Sequence, residues 1–600
     1  MGIEKKTKQR QDIPQEFKWD IEDMFADASA WEDAMKKALE LGEQFTAFSG
    51  HLGDNGEALL EAMTARDQLW LVAEKVYVYA RMKRDEDNRV GATQAMTDKA
   101  QTMLARISAQ TAFFTPELLE IPEETVKQFM EETEGLKMYA HMFDELFREK
   151  EHVLTKAEEN ILAQMSEVTS ATNDIFSMIN DADIKFGTIV DEDGETVEVT
   201  HGNYIGFMQS HDRRVRKEAF EHMYASYIAQ KNTLATTYNY NTKTDVVGAR
   251  LRRYGSAMEA ALSGDNVSTD VYNNLIAVVN EYLPQLHRYM DLRKKMLGVD
   301  EVHMYDVYVP LVEMPKEEIP YEKGLEMINE ALACMGEDYL EKMNKGFSDG
   351  WVDVYENEGK TSGAYSFGSY DSKPYILLNY DGKLQDVFTV IHEMGHSMHS
   401  CYTRAEQPFV YGGHSIFTAE VASTVNESLL IHHLLEKAKD VEEKKYLLNL
   451  HIEEFRTTLF RQTMFAEFEK MAHEAVEAGE VLTAEFLAEQ YYALNKKYFG
   501  ENVVCDEQIA YEWSRIPHFY NAFYVYKYAT GYSAATALSK KILTEGEVAR
   551  DNYIRFLKSG ECDYPVELLK IAGVDMSQPE PIRQAMETFK SLIDQLEALL

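Results

Sequence analysis

Apolar residues recur at helical spacing along most of this chain of 600 residues, and that periodicity limits the folds open to it. The first apolar stripe is formed by Trp31, Met35, Ala38 and Leu39. Their spacing places all four side chains on one face of a helix. Thr155 and Glu158 form a capping-box pattern that predicts another helix start, and residues 269–297 predict a long helix with a kink at Pro284. We therefore predict a mainly α fold.

Two stretches interrupt the helical pattern and predict β-structure. From Ile184 to Val199, β-branched residues alternate on either side of Asp191–Gly194, which is typical of a hairpin. From Trp351 to Tyr380, short β-prone segments punctuated by glycine predict a small sheet. Such a sheet could accept an extended peptide at its edge, or could merely pack against helices. We place a domain boundary near the hairpin, which divides the chain into residues 1–200 and 201–600.

The acidic composition argues against several classes of partner. The formal net charge of −41 disfavours nucleic acid and an anionic membrane surface as binding partners. No apolar run reaches the roughly 18 residues that a membrane span needs, so we expect no membrane-spanning helix. The N-terminal segment is basic with no apolar stretch after it, so we expect no signal peptide. The 4 cysteines lack paired spacing, which favours reduced thiols in a cytoplasmic protein.

The strongest chemical motif is His-Glu-x-x-His, formed by His392, Glu393 and His396. Two histidines four residues apart lie one helical turn above each other, so both imidazoles can bind one zinc ion from the same face. Glu393 then lies where it can take a proton from a metal-bound water. A third protein ligand is needed, and a fourth position stays open for water and substrate.

A second acidic segment follows closely and supplies candidates for that third ligand. Glu420 and Glu427 are seven residues apart and therefore share one helix face. We expect Glu420 to ligate zinc and Glu427 to accept the spare ring N–H of a ligating histidine, although the reverse assignment stays open. His399 is interpreted as a packing or supporting group. His414 could either turn into the site or stabilise its loop.

An aromatic segment near the C-terminus, Arg515–Tyr532, has more phenol groups than a core helix needs. Phenol and imidazole groups can donate hydrogen bonds to the oxyanion that forms when a peptide carbonyl is attacked. His518 and Tyr524 are our candidates for this role, and Tyr528 and Tyr532 are weaker ones.

Three segments together resemble one known family: HEMGHSMH, FTAEVASTVNE and RIPHFYNAFYVYKYATGY. They are similar to the oligoendopeptidase F branch of the thimet-oligopeptidase-like zinc metallopeptidases. The resemblance runs from about residue 200 to the C-terminus, and the preceding residues look like the helical N-terminal domain of that branch. It implies a nearly all-α fold with a deep substrate channel, one zinc ion on the channel floor and a cytosolic role in cleaving short peptides.

The resemblance also assigns roles to individual residues. It implies a general base at Glu393 and places a family tyrosine at Gly531, one step before Tyr532. The implied zinc ligands are His392, His396 and Glu420. The implied transition-state donors are His518 and Tyr524. The residues that fall where relatives hold the substrate backbone include Gly363 and Ala364.

These observations predict a zinc-dependent endopeptidase with one zinc ion per chain, short peptides as substrates and a cytoplasmic location. The alternative on a related helical scaffold is a zinc carboxypeptidase or dipeptidyl carboxypeptidase. A rival of another class is a peptide-binding scaffold with a vestigial metal site, which the intact His392, Glu393, His396 and Glu420 disfavour. The same ligand set could also hold cobalt or manganese.

Overall fold

The computed structural model describes residues 7–313 and 318–600. The first six residues, which belong to the segment considered for a signal peptide, lie outside this part. The prediction of a mainly α fold is confirmed. None of the helices in the described part combines the length and apolar composition that a membrane span requires.

The α-helices of the described residues are α1 (Ala28–Phe45), α2 (Gly56–Asp85), α3 (Gly91–Thr111), α4 (Phe114–Glu120), α5 (Glu123–Glu132), α6 (Ala140–Arg148), α7 (Lys156–Thr169), α8 (Ala171–Ser177), α9 (His201–Gln209), α10 (Arg213–Ala229), α11 (Lys231–Leu251), α12 (Ala257–Ser263), α13 (Thr269–Glu281), α14 (Leu283–Leu297), α15 (Tyr321–Ala331), α16 (Glu337–Ser348), α17 (Leu384–Glu406), α18 (Ile416–Lys437), α19 (Val441–Glu454), α20 (Arg461–Glu477), α21 (Ala484–Phe499), α22 (Tyr526–Glu545), α23 (Glu547–Leu557), α24 (Pro565–Ile571) and α25 (Glu580–Glu597). The strands are β1 (Thr188–Val190), β2 (Thr196–Glu198), β3 (Val302–His303), β4 (Val352–Asp353), β5 (Tyr365–Phe367), β6 (Tyr375–Leu377) and β7 (Val503–Val504).

Local signals in the sequence account for several element boundaries. The capping box is present at the start of α7, where the Thr155 side chain accepts from the Glu158 amide and the Glu158 carboxylate accepts from the Thr155 amide. The single kinked helix expected over residues 269–297 is wrong, because α13 and α14 are separate helices with Tyr282 between them. Pro284 stands in the first turn of α14, where its missing N–H costs least.

The described residues form two compact units, each assembled from three segments of the chain. The first unit contains residues 7–150, 318–433 and 538–573, and the second contains residues 151–313, 434–537 and 574–600. Segments from both sides of residue 200 contribute to the second unit. The division of the chain into residues 1–200 and 201–600 therefore stays a prediction.

The small sheet predicted between Trp351 and Tyr380 is confirmed in the first unit. Its strand order is β4-β6-β5, with β4 parallel and β5 antiparallel to the central strand. Tyr375 and Leu377 of β6 are fully buried and belong to the same core as residues of α1, α2 and α3, such as Trp31. This burial fixes the sheet to the helical part of the unit and leaves β5 at its edge.

The second unit contains the predicted hairpin, and its core includes stacked aromatic rings. β1 and β2 pair antiparallel, and Asp191 at the turn accepts hydrogen bonds from the amides of Asp193 and Glu195. β3 and β7 form a short parallel pair. Tyr238 of α11 and Phe468 of α20 stack with their ring centroids 6.3 Å apart in the core.

Candidate metal centre

Helix α17 positions the His-Glu-x-x-His motif in the first unit. The helix begins after Lys383, whose amide donates to the Asp386 carboxylate at 2.9 Å, as does the amide of Asp381 at 3.0 Å. These bonds satisfy amides at the helix start. The apolar face of α17 lies in the core and consists of Val387, Phe388, Ile391, Met394 and Met398. The partly exposed face carries His392 and His396.

Gly395 allows α17 and α18 to approach closely. A Cβ atom added at Gly395 would lie 2.6 Å from the Cα atom of Ser423 and 3.0 Å from the carbonyl oxygen of Ala422. Any larger side chain would separate the two helices. The absence of a side chain at this position therefore brings Glu420 and Glu427 of α18 within reach of the motif.

His392, His396 and Glu420 come together with one candidate ligand atom each, all within 4.8 Å of one another. The Nε2 atoms of His392 and His396 are 3.2 Å apart, and His392 Nε2 is 3.7 Å from Glu420 Oε2. Two nitrogen ligands at bonds of about 2.0–2.1 Å in a tetrahedral zinc shell lie about 3.3 Å apart. The donor set and its spacing therefore fit a zinc ion with three protein ligands.

Outer hydrogen-bond partners orient both histidines. Glu427 Oε2 lies 3.3 Å from Nδ1 of His392, on the opposite side of the ring from the cluster. The ring of His396 faces the backbone carbonyl oxygen of Ala419 on α18. Such partners hold one tautomer and leave the other ring nitrogen available to a metal. The position of Glu427 matches its expected supporting role. The assignments of Glu420 as a zinc ligand and of Glu427 as the partner of His392 remain predictions.

Glu393 lies near His392 and Glu420, with 8% of its surface exposed. Burial raises the pKa of its carboxyl group to about 7, and the backbone amide of Ser366 on β5 faces that carboxyl group and offsets part of the rise in pKa. Burial and the charge of His392 lower the pKa of His396 to about 3, which favours the neutral imidazole that metals bind. Burial alone would lower the pKa of His392. The carboxylates of Glu427, Glu393 and Glu420 raise this pKa to about 9.

Gly363 and Ala364 line a cavity of about 380 Å³ that also reaches Asp386 and Thr389 of α17. Thr389 stands three residues before His392 on the same helix. Asn379 also lines this cavity. Its side-chain amide donates hydrogen bonds to the carbonyl oxygens of Thr361 at 3.0 Å and Gly363 at 2.8 Å, which fixes the loop at Gly363. Gly363 and Ala364, which we expect to hold the substrate backbone, thus line a preformed cavity beside α17.

His399 and His414 pack against each other, with ring centroids 3.8 Å apart. Both rings are buried, and burial lowers both pKa values, that of His414 to about 3. Among the described residues, neither nitrogen of His399 has a hydrogen-bond partner. The packing interpretation of His399 agrees with this arrangement, and His414 lies against His399.

In the second unit, three of the four aromatic candidates form one group. The ring centroids of His518 and Tyr524 are 6.2 Å apart, and the Tyr528 ring lies 5.9 Å from His518 and 5.6 Å from Tyr524. Burial lowers the pKa of His518, which keeps the ring neutral near pH 7. Tyr532 packs edge-on against Phe455, with centroids 5.0 Å apart.

Sequence reasoning missed two residues that support the first-unit site. Ser366 contributes a backbone amide, which no side-chain pattern can reveal. Asn379 stands at the end of a strand-like segment, and only its two carbonyl partners identify it as the group that fixes the Gly363 loop.

Comparison with known proteins identifies relatives over almost the whole chain. Residues 206–588 match the model described as peptidase family M3, and residues 117–186 match the one described as oligopeptidase F. The chain is 47% identical to oligopeptidase PepF of Bacillus subtilis, over 100% of this chain and 90% of that protein. It is 42% identical to group B oligopeptidase PepB of Streptococcus agalactiae, over 98% of each.

A solved structure shows the same fold. The crystal structure of oligoendopeptidase-F from Enterococcus faecium superimposes with a TM-score of 0.74 and 37% sequence identity. The match covers 95% of this chain and 98% of that one. The resemblance noted from the three sequence segments is confirmed.

Proposed function

This chain belongs to peptidase family M3, and from that premise we propose that it is a zinc-dependent endopeptidase that hydrolyses internal bonds of short peptides. Membership of the family makes it a metallopeptidase. Its relatives named oligopeptidase or oligoendopeptidase support oligopeptides as the substrate class. The observation that carries the proposal is the convergence of His392, His396 and Glu420.

We assign one zinc ion per chain to His392, His396 and Glu420, with Glu427 supporting His392. When bound, zinc would polarise the scissile carbonyl and lower the pKa of a water molecule toward about 7. Glu393 takes the proton of the attacking water and delivers it to the leaving amine. Its carboxyl group is suited to this exchange because burial brings its pKa to about 7 and the Ser366 amide faces it.

Other residues bind the substrate and stabilise charge in this proposal. Gly363 and Ala364 hold the substrate backbone, supported by the cavity that they line. His518 and Tyr524 donate hydrogen bonds to the oxyanion, a role that rests on the family resemblance and on the grouping of their rings. Tyr528 joins that group and is a further substrate-binding candidate. Tyr532 remains the weakest assignment because its ring packs on Phe455.

The deciding experiment uses an internally quenched peptide of about ten residues that is blocked at both ends. The expected result is internal cleavage that a zinc chelator abolishes and added zinc restores, with one zinc ion per chain by elemental analysis. A His396→Ala variant should lose both zinc and activity. Failure to cleave the blocked peptide, together with removal of residues from an unblocked one, would favour the carboxypeptidase alternative. No cleavage of either peptide and no bound metal would support a scaffold protein.

The absence of nucleic-acid partners and the cytoplasmic location stay predictions from composition. Elemental analysis also separates zinc from cobalt and manganese, since all three suit this ligand set.

A further inference from the structure

The turn that leads into α22 contains a buried residue with an unusual backbone conformation. Within the described part of the chain, the residues other than glycine with positive φ are Arg253, Asn266 and Phe523. The first two are exposed, whereas Phe523 is 2% exposed and has φ of 55°. A bulky side chain is strained in this region of backbone conformation, which persists only where surrounding contacts enforce it.

Glu469 of α20 supplies one such contact. Its Oε1 atom accepts a hydrogen bond from the Phe523 amide at 2.7 Å. Glu469 is 0% exposed, and its Oε2 atom has no hydrogen-bond partner among the described residues. Burying a carboxyl group with one oxygen unpaired is unfavourable, so a side chain selected only for packing would be apolar here.

Two aromatic rings pack against Phe523. The Phe523 ring lies 4.5 Å from the His473 ring and 5.5 Å edge-on from the Tyr272 ring, measured between centroids. Phe523 and His473 also line a cavity of about 190 Å³. These ring contacts hold the side chain of Phe523, whereas its backbone amide is held by Glu469. The hydrogen bond to Glu469 then has a specific part in holding the backbone.

The next residue along the chain is Tyr524, whose ring groups with those of His518 and Tyr528. The left-handed turn at Phe523 sets the direction in which the Tyr524 side chain leaves the backbone. We propose that Glu469 is a positioning residue for Tyr524: it holds the Phe523 amide and thereby the turn that places the phenol beside His518. This inference rests on the proposed role of Tyr524 as a hydrogen-bond donor in peptide hydrolysis.

The protonation of Glu469 suggests a matched pair of variants. Burial raises its pKa to about 8, so the carboxyl group is largely neutral at pH 7 and accepts through its carbonyl oxygen. Glutamine retains that carbonyl oxygen in the same position. Methionine has similar length and volume but offers no comparable acceptor.

The test measures kcat and KM for the blocked peptide at pH 7, with zinc content and unfolding midpoint for each variant. We expect Glu469→Met to lose kcat about tenfold with KM within about twofold, while Glu469→Gln stays within about twofold of the wild-type kcat. An unchanged kcat in Glu469→Met would overturn the proposal. An equal loss in Glu469→Gln would also overturn it, because the acceptor would then not be what matters.

A double-variant cycle separates this proposal from the proposed function. Tyr524→Phe removes the phenol donor, and adding Glu469→Met should then cost little more, because both changes act through one group. If Tyr524→Phe alone left kcat unchanged, the donor role of Tyr524 would fail. If Tyr524→Phe reduced kcat and the two losses multiplied, only the positioning role of Glu469 would fail.

Hydrogen exchange keeps the proposal testable if Glu469→Met does not fold. The Phe523 amide lies in a turn, yet we expect it to exchange at least about a hundredfold more slowly than an unprotected amide in the wild-type protein. The same protection should persist in Glu469→Gln. Rapid exchange at Phe523 in the wild-type protein would show that the hydrogen bond to Glu469 does not hold the turn.

Discussion

The backbone amide of Ser366 on the edge strand β5 faces the carboxyl group of Glu393 on α17 and offsets part of the rise in pKa that burial causes. The Ser366 hydroxyl also lies 2.8 Å from the Ser397 hydroxyl of the same helix, which in turn donates to the Pro374 carbonyl oxygen at 3.3 Å. The strand and the motif helix are thus joined by a backbone contact and by a side-chain contact. We infer that the backbone contact fixes the orientation of the proposed general base.

Two substitutions at Ser366 separate these contacts. Ser366→Pro removes the amide that faces Glu393, and proline is tolerated on edge strands. We expect kcat to fall about tenfold, because Glu393 loses its fixed orientation, with zinc content unchanged. Ser366→Ala keeps the amide and serves as the control, with kcat near the wild-type value. Equal losses in both variants would assign the effect to the hydroxyl contact instead. Steady-state kinetics and elemental analysis provide the measurement.

Glu393→Gln should abolish turnover while leaving zinc bound. The amide cannot take a proton from water, so kcat should fall by at least about a thousandfold. The glutamine side chain has the same size as that of glutamate, and residue 393 is not among the proposed zinc ligands. Zinc content by elemental analysis and kcat on the blocked peptide are measured on one preparation. Loss of zinc equal to the loss of activity would contradict the assignment of Glu393 as the base.

Glu427→Gln should weaken zinc binding and affect the fold little. Glu427 lies 3.3 Å from Nδ1 of His392, and loss of such a carboxylate partner lowers metal affinity about 10–100-fold. Competition with a chelator of known affinity gives the dissociation constant. Glu436→Gln changes an exposed carboxylate on the same helix and should leave that constant unchanged. An unchanged zinc affinity in Glu427→Gln would remove Glu427 from the proposed site.

Gly395→Ala should force α17 and α18 apart. The new Cβ atom would meet the Ser423 backbone at 2.6 Å, and such overpacking costs about 1–3 kcal/mol. We expect a lower unfolding midpoint together with weaker zinc binding, since the ligands stand on both helices. Gly248→Ala on α11 is the matched control, because a Cβ atom there has no neighbour within 4 Å. The control should be neutral or slightly stabilising. Unchanged zinc affinity in Gly395→Ala would show that the ligand spacing tolerates helix separation.

Glu512 should be important for stability because it neutralises two arginines in the second unit. It accepts hydrogen bonds from Arg461 at 2.7 Å and Arg515 at 3.0 Å, and it is 2% exposed. Removing one partner of a buried charge pair costs about 3–5 kcal/mol. Urea unfolding at pH 7 should therefore show Glu512→Gln to be about 3 kcal/mol less stable than the wild type. Glu442→Gln, which changes an exposed carboxylate that pairs with Lys445, is the control and should leave the urea midpoint unchanged.

The same pair of proteins tests the pH dependence. Burial alone would raise the pKa of Glu512, but the two arginines lower it to about 2, from an ordinary value of 4.5. The unfolded state therefore binds more protons than the folded state between these values, and the stabilisation is lost as the pH falls through that range. The difference in free energy of unfolding between wild type and Glu512→Gln should be smaller at pH 4 than at pH 7. A difference that grew toward low pH would contradict this assignment.

Local patterns in the sequence predicted what depends on local geometry. The spacing of His392 and His396 follows from the helical repeat, and the alternation around Asp191–Gly194 follows from the strand repeat. Both elements form as expected. The single long helix expected around Pro284 was wrong. Apolar residues keep their helical spacing through the break at Tyr282, so the periodicity alone does not reveal that two helices meet there. The sequence alone also identified Glu420 as the residue that meets the two histidines.

Only the tertiary structure decided how distant segments support these residues. The Ser366 amide reaches Glu393, and the Glu469 carboxyl group reaches the Phe523 amide, across long separations in sequence. Every residue except proline carries the same backbone amide, so no residue pattern marks the one that becomes a hydrogen-bond donor to a buried acid. Motifs arise from side chains at short spacing, whereas these contacts arise from the packing of helices and strands that lie far apart in the chain.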